Sequence, residues 1–134
     1  MPDDNPPQKQ RVHFLPSHAE VKLCICCRAL DRWLPDNYGV FLVGSSLLRP
    51  DWRDVDVRVM MADDVFAASF PDIDPEKPHL NGMWSMTCFL ASEWLSSQTG
   101  LPVDFQIQQA TRANALFTGG RNSIAHWPFY PGGG

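Results

Sequence analysis

The sequence predicts an α/β (α+β) fold in which a small mixed β-sheet carries helices packed on one of its faces. Two segments, beginning near Ser17 and Asn81, repeat apolar residues at i, i+4, i+7 and i+11, as amphipathic helices do. Three short segments with strand patterns are interleaved with these helices along the chain, at residues 40–43, 55–61 and 103–108. This alternation is typical of a sheet layered against helices.

Length and composition restrict the classes of protein to consider. The 134 residues suffice for one core, which we expect at residues 17–134, and the proline-rich, polar residues 1–16 predict a disordered or loosely docked arm. No apolar stretch approaches the roughly 20 residues that span a bilayer, so no membrane is implied. The acidic start is unlike a signal peptide, and we expect a cytoplasmic protein. A formal charge of -4 argues against binding nucleic acid by neutralising many phosphates.

The two long helices are predicted with their ends. The first begins at a capping-box pattern, Ser17 with Glu20, and ends before Pro35. The second has Asn81 as its cap and Gly100 where a C-terminal cap would lie. Their apolar stripes consist of Leu23, Cys27, Leu30 and Leu34 in the first helix and Trp84, Cys88, Ala91 and Leu95 in the second. Both stripes predict packing on the sheet.

The strands differ in how they are covered. Residues Val40–Val43 form a continuous apolar run, which predicts a strand buried on both faces. In the other two strands valines and other apolar residues alternate with polar ones, so that one face is core and the other carries acids. The segment Ala62–Pro78, with three prolines and five acids, predicts a loop. A short helix is expected over Gln109–Phe117, followed by an irregular tail.

The chemistry of the chain is expected on the polar faces of these strands. Asp54 and Asp56 are two residues apart, so their carboxylates point the same way and are close enough to bind hard divalent cations. Clustered acids oppose folding unless a cation compensates them. Arg58, two residues further on the same face, is expected to be a structural counter-ion or a substrate-binding group.

The residues before this strand suit a phosphate. Gly44 ends a buried strand and lets backbone approach a ligand, and Ser45 and Ser46 add hydroxyl groups at a predicted helix start. Ser46 is better explained as a helix cap than as a ligand. Arg49 is an additional cation in the same connection and is a candidate phosphate contact.

Together, Val43-Gly44-Ser45 and Asp54-Val55-Asp56-Val57 resemble the signature of the DNA polymerase β-like nucleotidyltransferase superfamily, and the small size is closest to its minimal members. Val103-Asp104-Phe105 resembles the strand with the family's third carboxylate. The resemblance implies a nucleotidyltransferase fold in which Asp54, Asp56 and Asp104 bind two Mg²⁺ ions, with Mn²⁺ as a substitute. It also implies that a nucleoside triphosphate such as ATP is held near Ser45.

The resemblance leaves two functions open. One is metal-dependent transfer of a nucleoside monophosphate to an unidentified hydroxyl on a protein, an RNA or a small molecule. The other is a catalytically inactive nucleotidyltransferase-like protein that binds a partner protein, as an antitoxin-type regulator does. The three acids favour the first. The second is favoured because Arg49 is displaced by one position from the family pattern and no glycine follows it.

Other groups have simpler explanations. Cys24, Cys26 and Cys27 lack a second pair at zinc-ligand spacing and are expected to be reduced structural thiols, with the fourth cysteine, Cys88, also reduced. Trp84 is expected to pack in the core rather than to stack on a base. The acids of the segment Ala62–Pro78 predict a solvated loop, with a lid over the nucleotide as the alternative.

Overall fold

A computed structural model describes residues 15–44, 46, 50–116 and 119–124. Within these ranges the elements follow in the order α1 (Ser17–Asp31), β1 (Val40–Val43), β2 (Val55–Met61), α2 (Asp63–Ser69), a 3₁₀ turn (Pro78–Leu80), α3 (Gly82–Thr99), β3 (Val103–Gln109), α4 (Ala110–Leu116) and β4 (Asn122–Ser123). The predicted mixed α and β architecture is therefore present. No helix in the described ranges combines the length and apolar content needed to cross a membrane.

The four strands form one mixed sheet in the order β3-β2-β1-β4. β1 is antiparallel to both β2 and β4, and β2 is parallel to β3. The parallel connection between β2 and β3 contains α2 and α3, as a crossover between parallel strands requires. β3 is thus an edge strand of the sheet.

The main core lies between one face of this sheet and the two long helices. The alternating residues Val55, Val57 and Val59 of β2 are fully buried there. Both predicted helix stripes face this core, although Leu30 and Leu34 are only partly buried. A smaller cluster of Met60, Ala110 and Ala113, with Phe41 against it, covers the far end of the opposite face.

The ends of the long helices follow the sequence only in part. Asn81 Oδ1 accepts a hydrogen bond from Trp84 N–H at 2.9 Å, and Gly100 ends α3 with a φ of 74°. The predicted capping box of α1 is wrong, because Pro16 is the N-cap and no side chain caps that end. Leu15, in the segment expected to be an arm, is 1% exposed and belongs to the core.

Three predictions of local structure also need correction. The expected loop after β2 contains the helix α2, whose Phe66 is buried and packs edge-on against Phe70 with ring centroids 5.5 Å apart. β1 is not buried on both faces, because Phe41 and Val43 are only half-buried. Asn122–Ser123, expected to be irregular, pairs with β1. Residues 1–14 and 125–134, which include most of the expected arm and tail, lie outside the described residues.

Candidate functional site

Asp56 and Asp104 are direct neighbours across the parallel β2–β3 ladder. Because side chains alternate between faces along each strand, both carboxylates stand on the face opposite the main core. The Asp56 side chain is 24% exposed and that of Asp104 is 47% exposed. We call these two residues the carboxylate pair. The two acids lie 48 positions apart in the sequence, and the pairing of β2 with β3 brings them together.

Asp54 occupies a different position from the other two predicted acids. It precedes the first residue of β2 and is exposed to solvent. Its charge still acts on Asp56, where it is one of the groups that raise the pKa. Among the described residues, no group of three or more His, Cys, Asp or Glu side chains is arranged to hold a metal ion. The structure therefore brings Asp56 and Asp104 together and leaves Asp54 exposed just before the start of β2.

Arg58 lies between the two acids of the carboxylate pair. Its Nη2 is 3.2 Å from Asp104 Oδ2 and 3.7 Å from Asp56 Oδ1. Its Nη1 donates to the backbone carbonyls of Asp104 and Val57, at 2.7 Å and 3.0 Å. The side chain is only 14% exposed. The position confirms that Arg58 is a counter-ion to the acids, held in place by backbone as well as by charge.

The electrostatics of Asp56 reflect competing effects. Burial is the largest cause and raises the pKa of this carboxyl above its ordinary value, since desolvation penalises the charged form. The Arg58 guanidinium opposes that shift, while the negative charges of Asp104 and Asp54 add to it. An additional cation near Asp56 would relieve these unfavourable contributions.

Gly44 brings the turn after β1 against this carboxylate. Val43 is paired with Asp56 across the antiparallel β1–β2 ladder, so the residue that follows it lies beside the Asp56 side chain. Gly44 has a φ of 79°, and a Cβ at this position would collide with Asp56 Oδ2. Glycine is therefore needed here for two reasons, backbone conformation and close approach.

The rest of the predicted phosphate-binding turn is only partly described. Ser45 and Arg49 lie outside the described residues, so their predicted contacts stay predictions. Ser46 is fully buried, and its hydroxyl has no hydrogen-bond partner among the residues that the structure describes. A buried unpaired hydroxyl is costly, and its presence next to the turn does not match an exposed phosphate ligand.

The structure also shows a seal along the outer edge of β3 that the sequence analysis did not identify. Ser92 and Ser96 of α3 accept hydrogen bonds from the N–H groups of Phe105 and Val103, at 2.9 Å and 3.0 Å. The Trp84 indole N–H donates to the carbonyl of Ile107 at 2.9 Å, which confirms a structural role for this tryptophan. Trp84, Ser92 and Ser96 are spaced in multiples of four, so their side chains lie on one face of α3. This spacing of hydrogen-bonding side chains is the sequence pattern from which the contact with β3 could have been predicted.

Cys88 continues this seal and lies near the carboxylate pair. Its sulfur is hydrogen-bonded to the backbone of Ile107, and both Arg58 and Asp104 act on its charge. Burial, the largest cause, raises the pKa of the Cys88 thiol to about 11. All four cysteines are free thiols, with Cys24, Cys27 and Cys88 buried, as expected. His18 and His79 are exposed.

The donor set suits a hard divalent cation in part. Carboxylate oxygens are the ligands that Mg²⁺ and Mn²⁺ prefer, and Asp56 presents one oxygen toward the backbone of Gly44. The other oxygen faces Arg58, which already supplies one positive charge to the carboxylate pair. A cation held by Asp56 would therefore have to lie on the Gly44 side of this carboxylate.

Comparisons of this chain with protein-family models, with curated proteins and with solved structures find no match.

Proposed function

We propose that this chain is a divalent-cation-dependent nucleotidyltransferase, which moves a nucleoside monophosphate from a nucleoside triphosphate to a hydroxyl acceptor. The observation that carries the proposal is the direct pairing of Asp56 with Asp104 beside the Gly44 turn. The mixed α and β architecture agrees with the small α/β fold that the sequence resemblance implies. The nucleotide and the acceptor are not specified by these residues.

The proposed reaction assigns each group a task. The acceptor hydroxyl loses its proton to solvent, its oxygen attacks the α-phosphorus, the bond from that phosphorus to the bridging oxygen breaks, and pyrophosphate leaves with the electron pair. When bound, a divalent cation supplies charge neutralisation for the phosphates and lowers the pKa of the acceptor hydroxyl. Asp56 would hold the cation through the oxygen that faces Gly44, with Asp104 beside Asp56 on β3 and Asp54 exposed just before β2.

A binding titration tests the proposal on the carboxylates. We expect nucleoside triphosphate to bind in the presence of Mg²⁺, and the affinity to fall at least tenfold in the double variant Asp56→Asn and Asp104→Asn. The matched control is Asp36→Asn with Asp64→Asn, which removes two exposed carboxylates away from the site. The proposed enzymatic function is contradicted if the wild type does not bind triphosphate, or if it binds triphosphate equally well with and without Mg²⁺.

A transfer assay asks what receives the nucleotide. The protein is incubated with a cell lysate and with triphosphates labelled on either the α- or the γ-phosphate. Nucleotidyl transfer places only the α-label on an acceptor, whereas transfer of a phosphate group would place the γ-label. The Asp56→Asn and Asp104→Asn variant should leave the acceptor unlabelled.

One observation favours a non-catalytic binding protein of the same fold as the second candidate. Arg58 partly neutralises the carboxylate pair without any metal, so the domain is able to keep its acids as structural ion-pair partners. This candidate predicts wild-type protein that binds no triphosphate and labels no acceptor, and that works by occupying a partner protein. The two assays above therefore separate the candidates.

A further inference from the structure

Arg58 stands where two carboxylates would otherwise share a bridging cation. One guanidinium nitrogen, Nη2, lies within 3.2 Å of an oxygen of Asp104 and 3.7 Å of an oxygen of Asp56. In two-metal sites the ions lie roughly 3.5–4 Å apart and share carboxylate ligands. The guanidinium thus takes up the region between the acids that a second ion would need.

The two oxygens of Asp56 face different surroundings. Oδ1 is the oxygen nearest Arg58, whereas Oδ2 lies against the backbone of Gly44. Oδ2 of Asp56 is therefore available to a cation that binds with the triphosphate, whereas Oδ1 contacts the guanidinium of Arg58.

Arg58 is fixed in this place by contacts that a metal ion does not replace. Its Nη1 donates to two backbone carbonyls, those of Asp104 and Val57. With 14% of the side chain exposed, a departure of Arg58 would break these two part-buried hydrogen bonds. A second divalent ion that displaced Arg58 would break these hydrogen bonds, and one that entered beside Arg58 would be repelled by the positive guanidinium.

We infer that the site binds a single divalent cation with the triphosphate, on the Gly44 side of Asp56, and that Arg58 supplies the positive charge between Asp56 and Asp104 in place of a second ion. The inference rests on the proposed function. It changes the expectation of two ions to one ion and one guanidinium. Arg58 is thus an internal cation of the site rather than a group that contacts substrate.

Electron paramagnetic resonance of Mn²⁺ counts the ions directly. The full chain is titrated with Mn²⁺ in the presence of α,β-methylene analogues of ATP, GTP, CTP and UTP, which block cleavage. A protein-free mixture of the same composition gives the background. We expect one bound Mn²⁺ per chain and no spin-coupled signal, because two Mn²⁺ ions roughly 4 Å apart would couple.

Variants of Arg58 test the cause of this count. Arg58→Gln removes the charge and should raise the count from one to two, with a spin-coupled signal. Arg58→Lys keeps a cation and should leave one ion, and it serves if Arg58→Gln fails to fold. Arg32→Gln, at an exposed arginine at the end of α1, removes the same charge elsewhere and should also leave one ion.

The outcomes separate this inference from the proposed function. Two coupled Mn²⁺ ions in the wild type, or a single ion in folded Arg58→Gln, overturn the inference and leave the nucleotidyltransferase proposal standing. No Mn²⁺ above background with any analogue overturns the proposed function, and the inference falls with it. One uncoupled ion in the wild type and two in Arg58→Gln support both.

Discussion

Gly44 links backbone conformation to the position of a carboxylate. Its φ of 79° is one that side chains other than glycine rarely adopt, and its missing side chain leaves the space that Asp56 Oδ2 occupies. Gly100 offers a comparison within the same chain, because its φ is 74° but a Cβ there would meet nothing within 4 Å. The two glycines share the backbone requirement and differ only in the neighbour.

Alanine at each glycine should separate these two requirements. We expect Gly44→Ala and Gly100→Ala each to lower the free energy of unfolding by about 1–2 kcal/mol, the cost of a left-handed conformation. Only Gly44→Ala should also weaken Mn²⁺ binding with a triphosphate analogue, because its methyl group displaces the Asp56 carboxylate. Urea denaturation and the Mn²⁺ titration measure the two effects. Equal Mn²⁺ binding in both variants would show that the contact with Asp56 does not matter.

The raised pKa of Asp56 predicts how stability depends on pH. A carboxyl whose pKa is higher in the folded chain than in the unfolded chain favours folding when it is protonated, so its contribution is complete below the ordinary value of 3.8 and is lost as pH rises through the folded-state pKa. Asp56→Asn should therefore be more stable than the wild type at pH 7, and the gap should close as pH falls toward 4. Urea denaturation across this range tests it. A gap that stays constant with pH would point to packing instead.

At the scale of elements, the most informative contact is between α3 and β3. An edge strand exposes unpaired N–H and C=O groups that invite pairing with another chain. Here side chains of α3 occupy that edge at Val103, Phe105 and Ile107. The helix thus protects the strand that carries Asp104, and it fixes the strand's distance from the core.

Serine-to-alanine changes measure the strength of this seal. We expect Ser92→Ala and Ser96→Ala each to cost about 1–2 kcal/mol in unfolding free energy, because a part-buried N–H of β3 loses its acceptor. The matched control is Ser97→Ala, whose hydroxyl donates only to Trp94 O in an exposed position. It should change stability by less than about 0.5 kcal/mol. Hydrogen exchange at the amides of Val103 and Phe105 should accelerate in the first two variants, and unchanged exchange there would argue against the seal.

At the scale of the whole molecule, the reactivity of the free thiols measures how tightly the helices pack on the sheet. Burial, the largest cause, raises the pKa values of Cys24 and Cys88 to about 11, against an ordinary value of 9.0. Cys27 is fully buried and its thiol pKa is raised as well, whereas Cys26 is half-buried. The three buried thiols lie in α1 and α3, so access to them requires the two helices to separate from the sheet.

Alkylation at pH 8 should therefore distinguish the four cysteines. A rise in thiol pKa from 9.0 to about 11 alone lowers the reactive thiolate fraction, and the rate, by about 100-fold. We expect Cys26 to react first in the native protein, and all four to react at similar rates in urea. Mass spectrometry of peptides after timed labelling gives the order. Rapid native labelling of Cys27 would show that the core opens readily.

Sequence alone determined the faces of the elements. The stripe of α3 and the alternation in β2 and β3 follow from whether each residue meets core or water, a preference that repeats with the local helical or strand period. Asn81 and Gly100 marked the ends of α3 for equally local reasons. For the same reason Asp56 and Asp104 were each placed on the polar face of a strand.

Only the tertiary structure decided how those faces meet. The register that sets Asp104 beside Asp56, the bridge by Arg58 and the seal by Ser92 depend on contacts between distant parts of the chain. The seven-residue α2 was missed because such a short helix is stable only through burial, here of Phe66. Local preference fixes which way a side chain points, whereas strand order and register are set by the long-range packing that joins one element to another.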